Sequence, residues 1–299
     1  MKFTVTGGLG FIGSYIVKHL INQGHEVTIV DNFWRGKLEN LTGFQDKIDI
    51  QKLDILDIEL LRKIINDSDG IFHQAALTSV TESFVQTEKY HNVNVNGTEN
   101  VFKLAKEFGI KVVYASSSSV YGNTKLIPIK ENFERNPINP YGQTKLDDEI
   151  LAEKYSKLGT EIIGLRYFNV YGIGQTNDYA GVITKFNDTI LANKSPVIFG
   201  DGLQIRDFVS VEDVAKANLF AMQSDTKFAL VNIGTGITTS VKDLADLMIK
   251  LSGKLIAPIF DILPEGDVKE SQADTNLAKK LIGWISETSL ENGLKKFFF

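Results

Sequence analysis

Thr6-Gly7-Gly8-Leu9-Gly10-Phe11-Ile12-Gly13, residues 6–13, is the stretch whose reading decides the fold. Lys2–Thr6 before it reads as a short strand, and Ser14–Gln23 after it reads as an amphipathic helix closed by Gly24. Three glycines spaced G-x-x-G-x-x-G therefore fall in a strand-to-helix turn. Nothing larger than hydrogen obstructs the approach there, so backbone N–H groups and the positive end of the helix can face a diphosphate. Taken alone, a tight turn with no ligand explains the glycines about as well.

The next strand tips the balance. His25-Glu26-Val27-Thr28-Ile29-Val30-Asp31 is rich in β-branched residues and ends on an acid. An Asp at that end accepts hydrogen bonds from the hydroxyls of an adenosine ribose and repels a 2′-phosphate, which favours NAD over NADP. Asp31-Asn32 is also ordinary turn chemistry, but turn, helix and acid-ended strand together point to dinucleotide binding.

Strand and helix signals go on alternating. Strands are expected near Ile48–Leu53, Ile71–His73, Lys111–Ala115 and Glu161–Tyr167; helices near Ile58–Ile65, in a long stretch ending about Phe108, and over 141–158. That order implies a doubly wound α/β fold, a parallel sheet covered by helices on both faces. Beyond Tyr167 the segments shorten, glycine and polar residues cluster at 172–181, and prolines at 196, 258 and 264 interrupt the pattern. The expected organisation is a dinucleotide-binding domain over 1–169 and a smaller α/β substrate region mainly over 170–299, with some segments returning to the first sheet. Ligands in such folds bind beyond the carboxyl ends of the strands.

Composition narrows the class. A chain of 299 residues with 43% apolar and 23% charged residues is ordinary for a soluble globular protein of more than one domain. Its net charge of −5 offers no basic footprint for nucleic acid. No apolar run approaches the ~20 residues of a membrane span, and the first residues carry no basic-then-apolar leader, so a cytoplasmic protein is expected. Cysteine is absent, which removes disulfides and a thiol nucleophile; the four histidines, His19, His25, His73 and His91, lack metal-ligand spacing, so no metal is expected.

Two segments carry candidate chemistry. In Asn139-Pro140-Tyr141-Gly142-Gln143-Thr144-Lys145, Asn139 suits a helix N-cap and Pro140 the first helical position. Tyr141 and Lys145 then share one helix face. A phenol of reference pKa ~10 works as a base at neutral pH only if lowered by ~3 units, about 4 kcal/mol of differential stabilisation, and a nearby ammonium supplies charge of that kind. The second segment, Ser116-Ser117-Ser118-Ser119-Val120-Tyr121-Gly122, follows the strand at 111–115 and brings hydroxyls to the expected cleft.

With these residues in view, the chain resembles the extended short-chain dehydrogenase/reductases, and among them the nucleotide-sugar 4-epimerases of the UDP-galactose 4-epimerase type. The resemblance spans nearly the whole chain: TGGLGFIG at 6–13, DNFWRGKLENL at 31–41, LDILD at 53–57, HQAA at 73–76, NVNGT at 94–98, SSSSVYG at 116–122, the Tyr-Lys pair of 141–145, RYFNVYG at 166–172 and GDGLQIRDFVSVEDV at 200–214.

That resemblance implies a mechanism and a set of roles. Tyr141 would take the proton from the sugar 4-hydroxyl while C4 gives hydride to NAD, Lys145 would hold the nicotinamide ribose, and Ser117 would stand at the catalytic Ser/Thr position with Ser118 and Ser119 beside it. The keto sugar would turn and take hydride back on its other face. For the cofactor it implies Gly7, Gly10, Phe11, Ile12 and Gly13 at the diphosphate, Asp31 and Asn32 at the adenosine ribose, Asp54 and Ile55 at the adenine, and Ala75, Ala76 and Asn94 toward the nicotinamide. For a UDP-sugar it implies Asn169 and Arg206 at the diphosphate, Phe199 at the base, Asp267 at a hydroxyl, and Ser271 beside the sugar's 2-substituent, where a serine leaves room for an acetamido group. Pro264 stands where the family usually carries a second diphosphate arginine. A homodimer is implied as well. The alternatives are UDP-glucuronate epimerisation, a related dehydration (for which Ser118-Ser119 replace the family's Asp-Glu pair), and a non-catalytic NAD-binding sensor.

Overall fold

The computed structural model describes residues 1–175, 181–262 and 270–298. Pro264 and Asp267 lie outside them. Strands β1 (Lys2–Thr6), β2 (Glu26–Asp31), β3 (Asp49–Lys52), β4 (Gly70–His73), β5 (Lys111–Ser117) and β6 (Ile162–Tyr167) alternate with helices α1 (Phe11–Asn22), α2 (Ile58–Ile65), α3 (Val80–Val85), α4 (Thr87–Tyr90), α5 (Gly97–Phe108) and α6 (Pro140–Lys157). The second half adds β7 (Asn169–Tyr171), α7 (Val182–Leu191), β8 (Val197–Phe199), β9 (Ile205–Ser210), α8 (Val211–Gln223), β10 (Phe228–Ile233), β11 (Thr238–Ser240), α9 (Val241–Ser252), β12 (Ile259–Asp261), α10 (Asn276–Ile282) and α11 (Leu290–Lys295).

Seven strands pair in the order β10-β6-β5-β4-β1-β2-β3, every pairing parallel. Covered on both faces, the central strands can be apolar throughout rather than alternating, and Val112, Val113, Ile162, Ile163 and Leu165 are all buried. One core joins the sheet to α1, α8 and α10; the other joins it to α2, α5 and α6. The order turns back between β1 and β4, and a ligand crevice opens at such a switch point. From the second half of the chain, α8 and α10 pack on this sheet and strand β10 joins it, in register with β6 from Phe228 opposite Ile162 to Ile233 opposite Tyr167.

Beyond Tyr167 the chain leaves this sheet at Phe168 and runs into β7, which joins β9 and β11 in a three-stranded sheet. Together with the β8–β12 pair and helices α7, α9 and α11, this part has its own apolar core around Ile183, Phe186, Ile190, Phe208, Leu244 and Met248. The crevice therefore has the large sheet on one side and this smaller layer on the other.

Two expected helices differ. Helix α1 starts at Phe11, not Ser14, so Gly13 belongs to its first turn. The long helical stretch ending near Phe108 is broken into α3, α4, a π-helical turn at His91–Asn96 and α5. Asn92, Asn94 and Asn96 in that turn weaken a continuous α-helix, and the wider turn admits the Asn94 side chain to the interior.

Candidate active site

Each glycine of the first turn has its own task. Gly7 has φ +67°, and a Cβ there would stand 2.7 Å from the Ala75 backbone nitrogen, so it must be glycine for both conformation and space. A Cβ on Gly13 would meet the Gly7 carbonyl oxygen at 2.2 Å, so its bareness lets α1 pack onto the turn. Gly10 differs: its Cβ would meet only the Gly7 oxygen, at 3.1 Å, which leaves its outer side open to a ligand. No side chain caps this end of α1, so the first-turn N–H groups remain for an anion.

These residues form one end of a cleft of about 1310 Å³. Gly7, Gly10, Phe11, Ile12 and Gly13 line it, as do Ala76, Tyr141, Lys145, Asn169, Phe199 and Arg206. Single drug-sized ligands occupy sites of roughly 300–1,000 Å³; this volume suits two extended ligands laid end to end.

Helix α6 positions the central pair. Asn139 accepts a hydrogen bond from the Gly142 N–H at 2.8 Å and Pro140 opens the helix, which places Tyr141 in its first turn. The buried face of α6 is polar over its first half, with Thr144, Lys145, Asp148 and Glu149, and turns apolar only at Ala152 and Tyr155. Lys145 Nζ donates to the Ala115 carbonyl at 3.0 Å and to Asp148 Oδ2 at 3.1 Å. An ammonium has three donors, so one is left for the cleft that Lys145 lines. Glu149, four residues after Lys145, forms a buried bidentate pair with Arg166 at 2.8 Å and accepts from Ser116 Oγ at 2.7 Å, clamping α6 onto β5 and β6.

Several expected site residues are not among those lining the cleft. Asn94 is fully buried; its amide accepts from the Leu77 N–H at 2.8 Å and donates to the Leu77 carbonyl at 2.9 Å and to Thr144 Oγ1 at 3.0 Å. With its hydrogen bonds spent inside the protein, it fixes the loop after β4 to α6 rather than lining the cleft. The Ile55 side chain packs into the core over Gly97, which leaves only its backbone for an adenine. Ser117, Ser118 and Ser119 are outside the cleft lining: Ser117 Oγ accepts from the Ser119 N–H and donates to Ser119 Oγ, both at 3.1 Å. Ala75 has its backbone against Gly7 and its N–H on Thr6 Oγ1 at 3.3 Å. Ser271 is buried against β9, its N–H on the Ile205 carbonyl at 3.2 Å, and it too is outside the lining.

At the acid-ended strand, Asp31 accepts from the Leu9 N–H at 3.1 Å and the Phe33 N–H at 2.9 Å, so it also braces the glycine turn. Burial holds its carboxyl above the usual range against those two bonds. Asn32 reaches Asp54 Oδ2 at 2.9 Å and accepts from the Trp34 N–H, which joins the ends of β2 and β3. In the smaller layer, Asp207 turns inward rather than pairing at the surface with Arg206: it accepts from the N–H groups of Thr235, Gly236 and Ala273 and from the Thr235 hydroxyl. That fixes the strand on which Arg206 rises to the cleft, and Asn169 joins the same strand through the Asp207 carbonyl at 3.2 Å.

Residues 3–234 match the model of the NAD-dependent epimerase/dehydratase family. The chain belongs to that family. Its cofactor is NAD, and the open Gly10, the uncapped α1 terminus and Asp31 at the end of β2 are the features that fit it. Over 297 residues the chain is 42% identical to a putative UDP-glucose 4-epimerase of Methanocaldococcus jannaschii, covering 98% of this chain and 95% of the relative. Among solved structures it is similar to a UDP-N-acetylglucosamine 4-epimerase of Methanobrevibacter ruminantium in complex with UDP-N-acetylmuramic acid (TM-score 0.95, 37% identity, 99% and 96% covered). It is likewise similar to a UDP-glucose 4-epimerase of Thermotoga maritima with UDP-glucose (TM-score 0.94, 36% identity, 99% and 96% covered). Among the described residues, no cluster of His, Asp or Glu is placed to hold a metal, and no helix is long and apolar enough to cross a membrane.

Arg35, Thr78, Thr81, Gln175 and Lys185 also line the cleft and were not singled out by the sequence reading. Two of these had a signal: Arg35 lies within the 31–41 motif and Gln175 within the glycine and polar cluster at 172–181.

Proposed function

We propose that this enzyme inverts C4 of a UDP-hexose, interconverting UDP-glucose and UDP-galactose and accepting their N-acetyl forms as well. The observation that carries the proposal is Tyr141 and Lys145 on one face of α6, lining the same cleft as the glycine turn, Asn169 and Arg206. NAD supplies the hydride acceptor and donor. Tyr141 removes the 4-hydroxyl proton and later returns it, so it ends the cycle as it began. The Lys145 donor left over would hold the nicotinamide ribose, and the ammonium charge one helix turn from Tyr141 would favour the phenolate. Arg206 and Asn169 hold the diphosphate while the sugar turns between its two faces. Ser117 lends its hydroxyl to the proton path only after releasing its bond to Ser119, a change expected on substrate binding.

The names of the relatives support the substrate class, since each carries a UDP-sugar 4-epimerase activity in its description. A homodimer built on the outer face of α6, where Ile150 is exposed, and a cytoplasmic setting in keeping with the absence of cysteine complete the proposal. The test is incubation with UDP-galactose, UDP-N-acetylglucosamine and UDP-glucuronate, followed by chromatographic separation of the 4-epimers. Interconversion of the first two is expected. NAD bound tightly with no sugar turned over would instead establish a sensor.

A further inference from the structure

Beneath the Tyr–Lys pair lies a buried polar string that the reaction as proposed does not use. Asp148 is fully buried on the same face of α6, seven residues after Tyr141 and three after Lys145. Its Oδ2 accepts from Lys145 Nζ at 3.1 Å. The Thr98 hydroxyl of α5 also faces this carboxyl, yet among the described residues Oδ1 completes no hydrogen bond of good geometry. Thr98 Oγ1 is in turn 2.9 Å from His73 Nε2 on β4, and His73 Nδ1 is 2.7 Å from Thr6 Oγ1 on β1. Asp147 on α6 and the buried Tyr114 hydroxyl of β5 are the other ionisable neighbours, and neither brings positive charge. His73 brings none either, because burial and the Lys145 charge hold it neutral down to about pH 3.

We propose that Asp148 is a positioning residue that, through Lys145, sets how much of the ammonium charge reaches Tyr141. The geometry gives it two effects. It takes one Lys145 donor, as the Ala115 carbonyl takes another, and so aims the third into the cleft. Its charge also opposes that of the ammonium in a place where water does not screen it. An ionised Asp148 therefore weakens the support Lys145 gives to a phenolate one turn away, and a protonated Asp148 leaves that support whole. Burial raises the carboxyl to about 7, and a protonated Oδ1 gains a hydrogen to donate to Thr98. Both states of Asp148 are thus within reach at working pH, and its ionisation is coupled to that of the base rather than independent of it.

The proposal rests on Tyr141 being the base, so its test reads that ionisation directly as well as through turnover. Ultraviolet difference titration of the NAD-loaded protein, with Tyr141→Phe subtracted to remove the other tyrosines, follows phenolate formation without any sugar. Asp148→Asn keeps the size and an acceptor for Lys145 but abolishes the charge. The wild-type transition should be stretched beyond the width of a single site, and the Asn variant should titrate as one site with its midpoint about one pH unit lower. The acidic limb of turnover should move by the same amount, which makes the variant up to ~10-fold faster than wild type, relative to plateau, on that limb. Superimposable titrations of wild type and Asp148→Asn overturn the proposal. A shifted titration with no sugar turned over sustains it and overturns the epimerase assignment instead. If Asp148→Asn does not fold by circular dichroism, Asp148→Ser makes the same comparison.

Discussion

Replacing His73 with Gln should make the fold markedly less sensitive to acid. His73 is wholly enclosed, its two ring nitrogens bonded to Thr6 Oγ1 and Thr98 Oγ1, and burial with Lys145 close by lowers its pKa from 6.5 to about 3. In the unfolded chain the imidazole takes a proton near pH 6.5; in the folded one it does not until about pH 3. The unfolded state therefore binds more protons across that window, and stability present above pH 6.5 is lost as pH falls toward 3. The loss grows to about 5 kcal/mol over the whole window and is about 2 kcal/mol by pH 5. Asp148 works in the other direction: its carboxyl, raised to about 7, makes folding less favourable as pH climbs from about 4 to 7, so the wild-type curve mixes both groups. Comparison with His73→Gln isolates the histidine, since Gln cannot titrate but can donate to one threonine and accept from the other. Urea midpoints measured from pH 7.5 to 5 should give a variant that is weaker than wild type at pH 7.5 and loses about 2 kcal/mol less on the way to pH 5. Parallel curves for the two proteins would show that His73 is protonated in the fold and that the burial argument fails.

Other outcomes follow from the site. Tyr141→Phe should retain fold and NAD binding while turnover falls by at least ~100-fold, the usual cost of losing a general base; circular dichroism and an epimer assay check this together, and near wild-type turnover would move the base elsewhere. Gly7→Ala should destabilise the protein by about 1–3 kcal/mol through its left-handed backbone and the contact with Ala75, with a loss of NAD affinity that calorimetry reads. Calorimetric titration with both dinucleotides should show NAD bound far more tightly than NADP, because Asp31 puts a carboxylate where a 2′-phosphate would lie; comparable affinities would remove the electrostatic argument.

The sheet was legible because its signals are local. Five-residue apolar strands, the glycine turn and the alternation with helices are each written in neighbouring residues, and β1, β2 and α2 fall where composition and periodicity put them. Tyr141 and Lys145 were legible for the same reason: four residues apart on a helix with a clear N-cap, they must share a face. What sequence could not supply was the direction in which a polar side chain spends its hydrogen bonds. The family resemblance implies a ligand beside both Asn94 and Asn169, yet the first closes on the backbone of Leu77 and the second stands at the cleft wall.

The buried polar residues carry the same lesson further. Ser116 and Ser117 are neighbours on β5, so their side chains point to opposite faces of the sheet; one is bound to Glu149 and the other turns toward Ser119. A run of four serines hides that alternation until the strand's end is known, and β5 runs through Ser117, two residues beyond the apolar run that marked it in the sequence. Asp148 was written in the chain at the helical spacing of Tyr141 and Lys145, but an acid at that spacing reads first as a solvated partner of a surface lysine. Only the packing of β5 and α5 over that face makes it an enclosed carboxyl. Enclosure is also what gives it leverage: the same pair in water would exchange about 1 kcal/mol at best and leave Tyr141 untouched.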